Sequence, residues 1–499
     1  MSTRTYRDAV DSLNSLQTNA AALEAVRASG GRSSAFAIPE MIEYLGIIGY
    51  KPAELNALNA IHITGTKGKG STSAFAESIL REAHPEWKTG LYTSPHLVAV
   101  RERVRINGRP LSEEDFAKFF FQVWDRITEN KTRAETTPDK PGYFRFMTLV
   151  AFHTFLSLKV DVTVLEVGVG GTHDSTNIVP KPVVTGITAL GIDHVKVLGE
   201  TLKEIAWHKG GIFKEGVPAF TVNQATEGLD VLRQQAKDLK SSEFNVVSPM
   251  PGLSEIKLGL AGAHQLQNAT LAVYLARSFL HSRNLISSVE ILPEDFVRGL
   301  ENARWPGRCQ TVTDPVFPTT TWYLDGAHTF ESLECCVQWF VSPGVGLQAD
   351  TAKPGPRILI FNCTSGRSGA SFLKSMHSHI ATQLKSYDSD ETVSSFFDHV
   401  IFCTNVTYAD GGFKGDLTTL AIPEADLAQL KTQHQLASAW SSLIPTFPAE
   451  NIHVLPSIEH SVNLVRKLDS DAGQANVLVA GSLHLVGGVI EVAGLSFSL

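Results

Sequence analysis

An apolar strand signal at Ile61 and Ile63 runs directly into Gly65-Thr66-Lys67-Gly68-Lys69-Gly70-Ser71, and a helical pattern opens at once over 73–81. Few folds use such a strand, glycine loop and helix in series. The glycines let backbone N–H groups converge on phosphate oxygens, the helix N-terminus adds partial positive charge, and Lys69 adds a full one. The unit predicts a nucleotide-phosphate cradle. Its spacing departs from the common G-x-x-x-x-G-K-[ST] loop: Ser71 follows Gly70, and the lysine precedes the last glycine.

The rest of the chain agrees with an α/β protein. Short apolar runs at 61–64, 162–167, 183–187, 322–324, 357–362, 399–403, 452–455 and 476–480 alternate with helical patterns such as 147–158, 263–280 and 457–468. Continuous apolar runs between helices predict parallel strands buried on both faces. With 499 residues and 43% hydrophobic content, two domains are expected. Arg304-Trp305-Pro306-Gly307-Arg308 interrupts regular structure, which places an N-terminal P-loop domain at 1–305 and a C-terminal α/β domain at 306–499. The stretches 131–142, 347–356 and 386–394 read as surface loops. Only 64 residues precede Gly65, too few for a separate substrate domain ahead of the cradle.

A net charge of −8 gives no broad attraction to nucleic acid, so anionic substrates must be met by local basic groups. Cys309, Cys335, Cys336, Cys363 and Cys403 are odd in number, lack a C-x-x-C pair, and read as buried thiols of a reducing compartment. No stretch approaches the about 18–20 apolar residues of a membrane span. The period Tyr6-Val10-Leu13-Leu16 resembles a folded first helix more than a transit peptide. A cytoplasmic monomer is expected, with a mitochondrial form made from a longer precursor left open.

In open α/β sheets ligands bind beyond the carboxyl ends of the strands, so the polar residues that follow apolar runs are the first candidates. Four such places stand out: Thr93-Ser94-Pro95-His96, Glu166-Val167-Gly168-Val169-Gly170-Gly171, Asp193-His194 and Asp325-Gly326-Ala327-His328. Glu166 ends an apolar strand, where it either meets Mg2+ beside the cradle or caps the strand. Ser94 supplies a hydroxyl to the same ion or simply makes a Ser-Pro turn. His194 is a second metal ligand or a loop histidine. Lys209, near the end of a helical pattern, reads locally as a solvent-facing lysine. Arg101, Arg103 and Arg105 alternate before an Asn107-Gly108 turn, which predicts three guanidinium groups on one strand face, either guiding an anionic tail or paired with Glu102 or Glu113.

Ten motifs in order resemble the folylpolyglutamate synthases, ATP-dependent amide-forming ligases related to the murein peptide ligases. They are GTKGKGS at 65–71, TSPHL at 93–97, YFRFMT at 143–148, EVGVGG at 166–171, Asp193-His194, HKGGI at 208–212, HQLQN at 264–268, RWPGR at 304–308, DGAHT at 325–329 and GSLHLVG at 481–487. Lys67, Arg145 and Thr329 follow the eukaryotic rather than the bacterial pattern. The resemblance implies a Mur-ligase-like P-loop nucleotide domain with a parallel central sheet, plus a smaller Rossmann-like C-terminal α/β domain. ATP, Mg2+ and a monovalent cation such as K+ are the implied cofactors, with reduced folates and L-glutamate as substrates. Gly65, Thr66, Lys67, Gly68, Lys69, Gly70, Ser71, Asn268, Arg308 and Asp325 would bind ATP, and Ser94, Glu166 and His194 would hold Mg2+. A carbamylated Lys209 would be catalytic beside Lys69 and His328, against the local reading of that lysine. His328 and Ser482 would position glutamate, and Tyr143 or Phe144 would border the pterin unless they serve the core alone. The implied reaction passes through an acyl phosphate on the γ-carboxylate of the folate's glutamate. Dihydrofolate synthase, which glutamylates dihydropteroate with the same machinery, and a P-loop kinase or switch remain the competing readings.

Overall fold

The computed structural model describes residues 4–17, 36–130, 132–135, 137–286, 292–347, 355–363, 368–418, 429–472 and 475–496. The chain forms two compact units, Met1–His96 with Val100–Gly259 and Gln265–Arg304, and Leu97–Ala99 with Leu260–His264 and Trp305–Leu499.

The first unit is built on β1 (Ala60–Thr64), β2 (Thr89–Tyr92), β3 (Val104–Ile106), β4 (Arg109–Pro110), β5 (Val162–Glu166), β6 (Val184–Ile187), β7 (Ala219–Thr221) and β8 (Phe244–Val246). Their order across the sheet is β4-β3-β2-β5-β1-β6-β7-β8. From β2 to β8 all neighbours are parallel, and β3 and β4 add an antiparallel edge. β1 lies between β5 and β6, with Ile61 opposite Val164 on one side and Val184 on the other. Every residue of β1 and β5 is buried. That double-sided burial is why their sequences read as continuous apolar runs. A cluster of Phe116, Phe120, Phe146, Phe152 and Phe155 packs helices Glu113–Glu129 and Tyr143–Leu158 together.

The second unit orders its strands β13-β12-β11-β14-β10-β9. These are β9 (Gln310–Thr313), β10 (Thr320–Leu324), β11 (Arg357–Phe361), β12 (His399–Cys403), β13 (Ile452–Leu455) and β14 (Ala475–Ala480), with only β9 antiparallel to its neighbour. The architecture is therefore α/β with two mostly parallel sheets, as the strand and helix alternation predicts.

Three local expectations need correction. The helix after the glycine loop runs Lys69–Ala83, four residues earlier than the apolar pattern predicts, because Gly68 takes a left-handed conformation (φ 85°) and starts the helix inside the loop. The helix expected at 263–280 runs Gln265–Ser282. Arg101, Arg103 and Arg105 do not share a strand face: Val100–Arg103 is a 3-10 turn, and only 104–106 is strand. Arg101 bonds Leu111 O, Arg103 bonds His96 Nδ1 and Arg105 bonds Gly108 O. The Asn107-Gly108 hairpin is present, with φ of 50° and 74°. Of the loop expected at 347–356, residues 348–354 lie outside the described residues.

Candidate active site

The glycine loop is held from two directions. Thr66 N and Lys67 N donate to Ala189 O at 2.9 and 3.1 Å, and the Thr66 hydroxyl donates to Gly191 O. Two glycines are required by close approach: a Cβ at Gly65 (φ 151°) would sit 1.8 Å from Thr188 Oγ1, and one at Gly68 would sit 2.0 Å from Asn268 Oδ1. Asn268 in turn donates to Gln265 Oε1 at 2.9 Å, and Gln265 donates to Ser71 Oγ at 3.4 Å. The loop's shape thus depends on the segment after β6 and on helix Gln265–Ser282.

Two lysines meet at one carbonyl. Lys69 Nζ donates to Gly65 O at 3.0 Å and Lys209 Nζ donates to the same oxygen at 2.7 Å. Lys209 is 3% exposed, which overturns the solvent-facing reading drawn from its place in helix Leu202–Gly210. Burial, and then the nearby Lys69 charge, hold its ammonium well below the ordinary lysine range. The shift favours the free-base amine, which is the nucleophilic form of a lysine. Lys67 Nζ reaches Asp193 Oδ2 at 3.5 Å, so the positive loop is partly balanced by the segment after β6.

Glu166, the last residue of β5 and 3% exposed, accepts a hydrogen bond from Ser94 N at 3.0 Å. The backbone contact brings the predicted Ser94 and Glu166 oxygen donors to one strand end. His194 is exposed, in a left-handed conformation (φ 52°), with its N–H on Asp193 Oδ1 at 2.8 Å. Among the described residues no three His, Cys, Asp or Glu side chains form a metal cage. A carboxylate and a hydroxyl beside a phosphate cradle suit Mg2+, which keeps waters and takes substrate phosphate oxygens in place of a full protein cage.

Asp174 is the main residue missed by the sequence reading. Its Oδ2 accepts from Gly168 N and Val169 N at 3.1 and 3.2 Å, while Oδ1 accepts from Thr176 N and the Thr176 hydroxyl at 3.0 and 2.6 Å. This carboxylate staples the glycine-rich turn after Glu166, although burial raises its pKa. The one available signal was the Asp-Ser-Thr turn composition, which carries no periodicity. Thr176 also bonds His62 Nε2 at 2.9 Å, linking the turn to the middle of β1.

A cavity of about 510 Å3 opens beside this turn, lined among others by Tyr143, Phe144, Arg145, Val169, Asp174 and His208. Tyr143 and Phe144 are half-buried at the start of helix Tyr143–Leu158, with Arg103 over the Tyr143 ring at 5.2 Å. Arg145 is paired with the buried Glu40. The two aromatic residues therefore serve both the core and the cavity wall.

In the second unit, Asp325 follows β10 and ties its own turn to Cys309, which precedes β9. Its Oδ2 accepts from Cys309 N at 2.7 Å and from the Cys309 thiol at 3.2 Å, and its Oδ1 accepts from Ala327 N at 2.8 Å. Burial and this carboxylate together push the thiols of Cys309 and Cys336 far above their usual range. His328 Nδ1 lies 2.7 Å from Gly326 O; a carbonyl only accepts, so Nδ1 carries a proton, which in the neutral ring leaves Nε2 as the acceptor. Arg308 Nη1 donates to Gly307 O at 3.0 Å. A Cβ on Gly326 would come 2.7 Å from the same Nη1, so the Asp325 to His328 turn and Arg308 are neighbours. Ser482 precedes helix Leu483–Ala493 and is buried.

No protein-family model matches the chain. A folylpolyglutamate synthase of Saccharomyces cerevisiae (strain AWRI796) is 44% identical over 504 aligned residues, covering 98% of this chain and 87% of the yeast protein. The structure resembles Mycobacterium tuberculosis folylpolyglutamate synthase complexed with ADP and AMPPCP, with a TM-score of 0.69, 20% identity, and 92% and 95% of the two chains covered. It also resembles the Thermotoga maritima folylpolyglutamate synthase, with a TM-score of 0.64, 24% identity, and coverage of 92% and 93%. The two structural likenesses bear on the fold, whereas the yeast relative bears on the family.

Proposed function

The chain belongs to the folylpolyglutamate synthase family, and on that premise we propose that it joins L-glutamate to the γ-carboxylate of a reduced folate's glutamate at the expense of ATP. A carboxylate is a poor electrophile. One of its oxygens attacks the γ-phosphorus of ATP, ADP departs, and the acyl phosphate that forms is then attacked by the glutamate amine. Phosphate leaves, one proton is lost from nitrogen, and an amide remains. The observation that carries this reading is the loop 65–71, where Lys69 and Lys209 share the Gly65 carbonyl beside the Glu166 strand end.

Each group has a task in this scheme. Lys69 and the N–H groups of Gly65, Gly68, Gly70 and Ser71 neutralise and align the phosphates, while Thr66 and Lys67, whose N–H groups are held by Ala189 O, fix the shape of the loop. Ser94 and Glu166, with His194, are the residues that would hold Mg2+, which when bound supplies charge neutralisation at the transferring phosphoryl group. Lys209 is assigned as a carbamate: its amine, as the free base, adds to CO2, one proton is released from nitrogen, and a hydrogen-bond donor becomes an anionic oxygen acceptor. Asn268, Arg308 and Asp325 are assigned to ATP. Asn268, already against Gly68, acts on the loop, and Asp325 holds the turn that carries His328. His328 and Ser482 are assigned to the incoming glutamate, with His328 Nε2 placed by its tautomer to accept from the ammonium. Tyr143 and Phe144 border the folate in the cavity beside Asp174.

We assign the P-loop chemistry to 1–305 and the glutamate site to 306–499, and take the protein as a cytoplasmic monomer. No described helix is long and apolar enough to cross a membrane. K+ is taken as an activating cation, and replacing it with Na+ is expected to lower the rate. The deciding assay supplies ATP, Mg2+ and labelled glutamate with either a tetrahydrofolate monoglutamate or dihydropteroate. Glutamate is expected on the tetrahydrofolate; incorporation on dihydropteroate alone identifies dihydrofolate synthesis, and on neither refutes the ligase.

A further inference from the structure

Four polar side chains are buried in a row at the carboxyl ends of three adjacent strands of the second unit. Asn362 follows β11, Asn405 lies two residues beyond β12, Ser482 lies two beyond β14, and Gln433 comes from helix Lys431–Leu443. They are 4%, 6%, 4% and 4% exposed. Burying so many amide and hydroxyl groups is unfavourable unless their hydrogen bonds are satisfied and ordered.

Their order has a definite polarity. Gln433 Nε2 faces Cys403 O at 3.3 Å, and a carbonyl can only accept, so the amide nitrogen must lie on that side. The same nitrogen donates to Asn362 Oδ1 at 3.0 Å, which leaves Asn362 Nδ2 to donate to Asn405 Oδ1 at 3.1 Å. Asn405 Nδ2 then faces Ser482 Oγ at 3.5 Å as a donor. The hydroxyl oxygen is the acceptor in this contact, so its one proton points away from Asn405 and is left to donate to another group.

We infer that the amide chain Gln433-Asn362-Asn405 fixes the Ser482 hydroxyl as a hydrogen-bond donor, and that this makes the strand end selective for a carboxylate of the incoming amino acid. The inference rests on the assignment of Ser482 to glutamate. Asn405, Asn362 and Gln433 are positioning residues; none need touch substrate. The N–H groups opening helix Leu483–Ala493 favour the same anionic ligand, and a neutral amide in place of that carboxylate would gain nothing from them.

The test reverses the polarity without changing shape. In Asn405→Asp a carboxylate oxygen faces Ser482 and accepts a hydrogen bond from its hydroxyl. Asn362→Asp does the same one link away, by forcing the Asn405 amide to turn and present its oxygen. Glutamate KM, ATP KM, folate KM and kcat are measured on the full chain for both variants, for Ser482→Ala, and for Ser482→Ala/Asn405→Asp. Loss of a hydrogen bond to a charged ligand predicts glutamate KM raised about tenfold in each single variant, with kcat and the other KM values within about twofold. The double variant is expected to match Ser482→Ala, since the amide chain acts only through that hydroxyl. If Ser482→Ala raises glutamate KM while both Asp variants match the wild type, the amide chain has no such role and the Ser482 assignment stands. An additive double variant likewise rejects the inference. If Ser482→Ala leaves glutamate KM unchanged, the glutamate assignment fails and the inference with it. Should one Asp variant not fold, the other decides.

Discussion

Lys69 and Lys209 share a carbonyl oxygen, yet their environments assign them different work. Lys69 is half-buried at the first position of its helix, where a phosphoryl group can draw its ammonium away from Gly65 O. Lys69→Ala is expected to lower kcat by on the order of 10³ while the thermal midpoint stays close to wild type; near-normal turnover would refute the loop assignment. Lys209 is buried, and its folded-state pKa is depressed. Between that depressed value and the ordinary lysine value of about 10.4 the unfolded chain binds a proton that the folded chain does not, so this contribution to stability rises with pH across that interval and then levels off. Lys209→Met removes that penalty and leaves Gly65 O bonded to Lys69. In CO2-free buffer the variant should be as stable as wild type or more so, by up to about 2 kcal/mol, yet inactive. A folded, active Lys209→Met enzyme would exclude the carbamate. His62 makes a second pH prediction. Burial lowers its pKa to about 3, so stability falls as the unfolded chain gains its proton below about pH 6.5 and continues to fall toward pH 3. At pH 5 the loss from His62 is about 2 kcal/mol. His62→Gln should flatten part of the acid limb of a denaturant-midpoint profile, the remainder including His153, lowered to about 4.

At the level of elements, the strand, loop and helix at 60–83 was legible because each part has its own signal: apolar run, glycines, helical period. What was not legible was where the helix begins. Periodicity starts at the first core-facing residue, whereas the backbone turn starts at Gly68, whose left-handed conformation carries no hydropathy signal. Gly68→Ala adds both an unfavourable φ and a clash with Asn268. ATP Kd is expected to rise about tenfold or more, and Gly68→Ala/Asn268→Gly should recover only the steric part in a titration. If the second substitution restores full affinity, the backbone conformation was not limiting. The arginine segment failed for a related reason. Residues 101, 103 and 105 have strand spacing, but a 3-10 turn over Val100–Arg103 ends before the strand, and side-chain identity alone does not distinguish the two.

Across the whole molecule, each unit has its own sheet and its own apolar clusters. Leu165 is fully buried in the first and Ile360 in the second. Leu165→Ala and Ile360→Ala should each cost about 2–5 kcal/mol. In calorimetry each is expected to lower a different unfolding transition, and AMPPCP should raise the transition that Leu165→Ala lowers. A single transition shifted equally by both would mean the units unfold as one.

The sequence by itself determined the α/β class, the phosphate loop and the order of the strand-end motifs, because hydrophobic period, glycine placement and motif spacing are local properties of a chain. Tertiary structure alone decided that Lys209 is buried against Gly65 O, that Asp174 staples the turn after Glu166, and that Gln433, Asn362 and Asn405 line up on Ser482. Those facts join residues up to 144 positions apart. Burial and hydrogen-bond polarity depend on which strands become neighbours, and no local pattern encodes that.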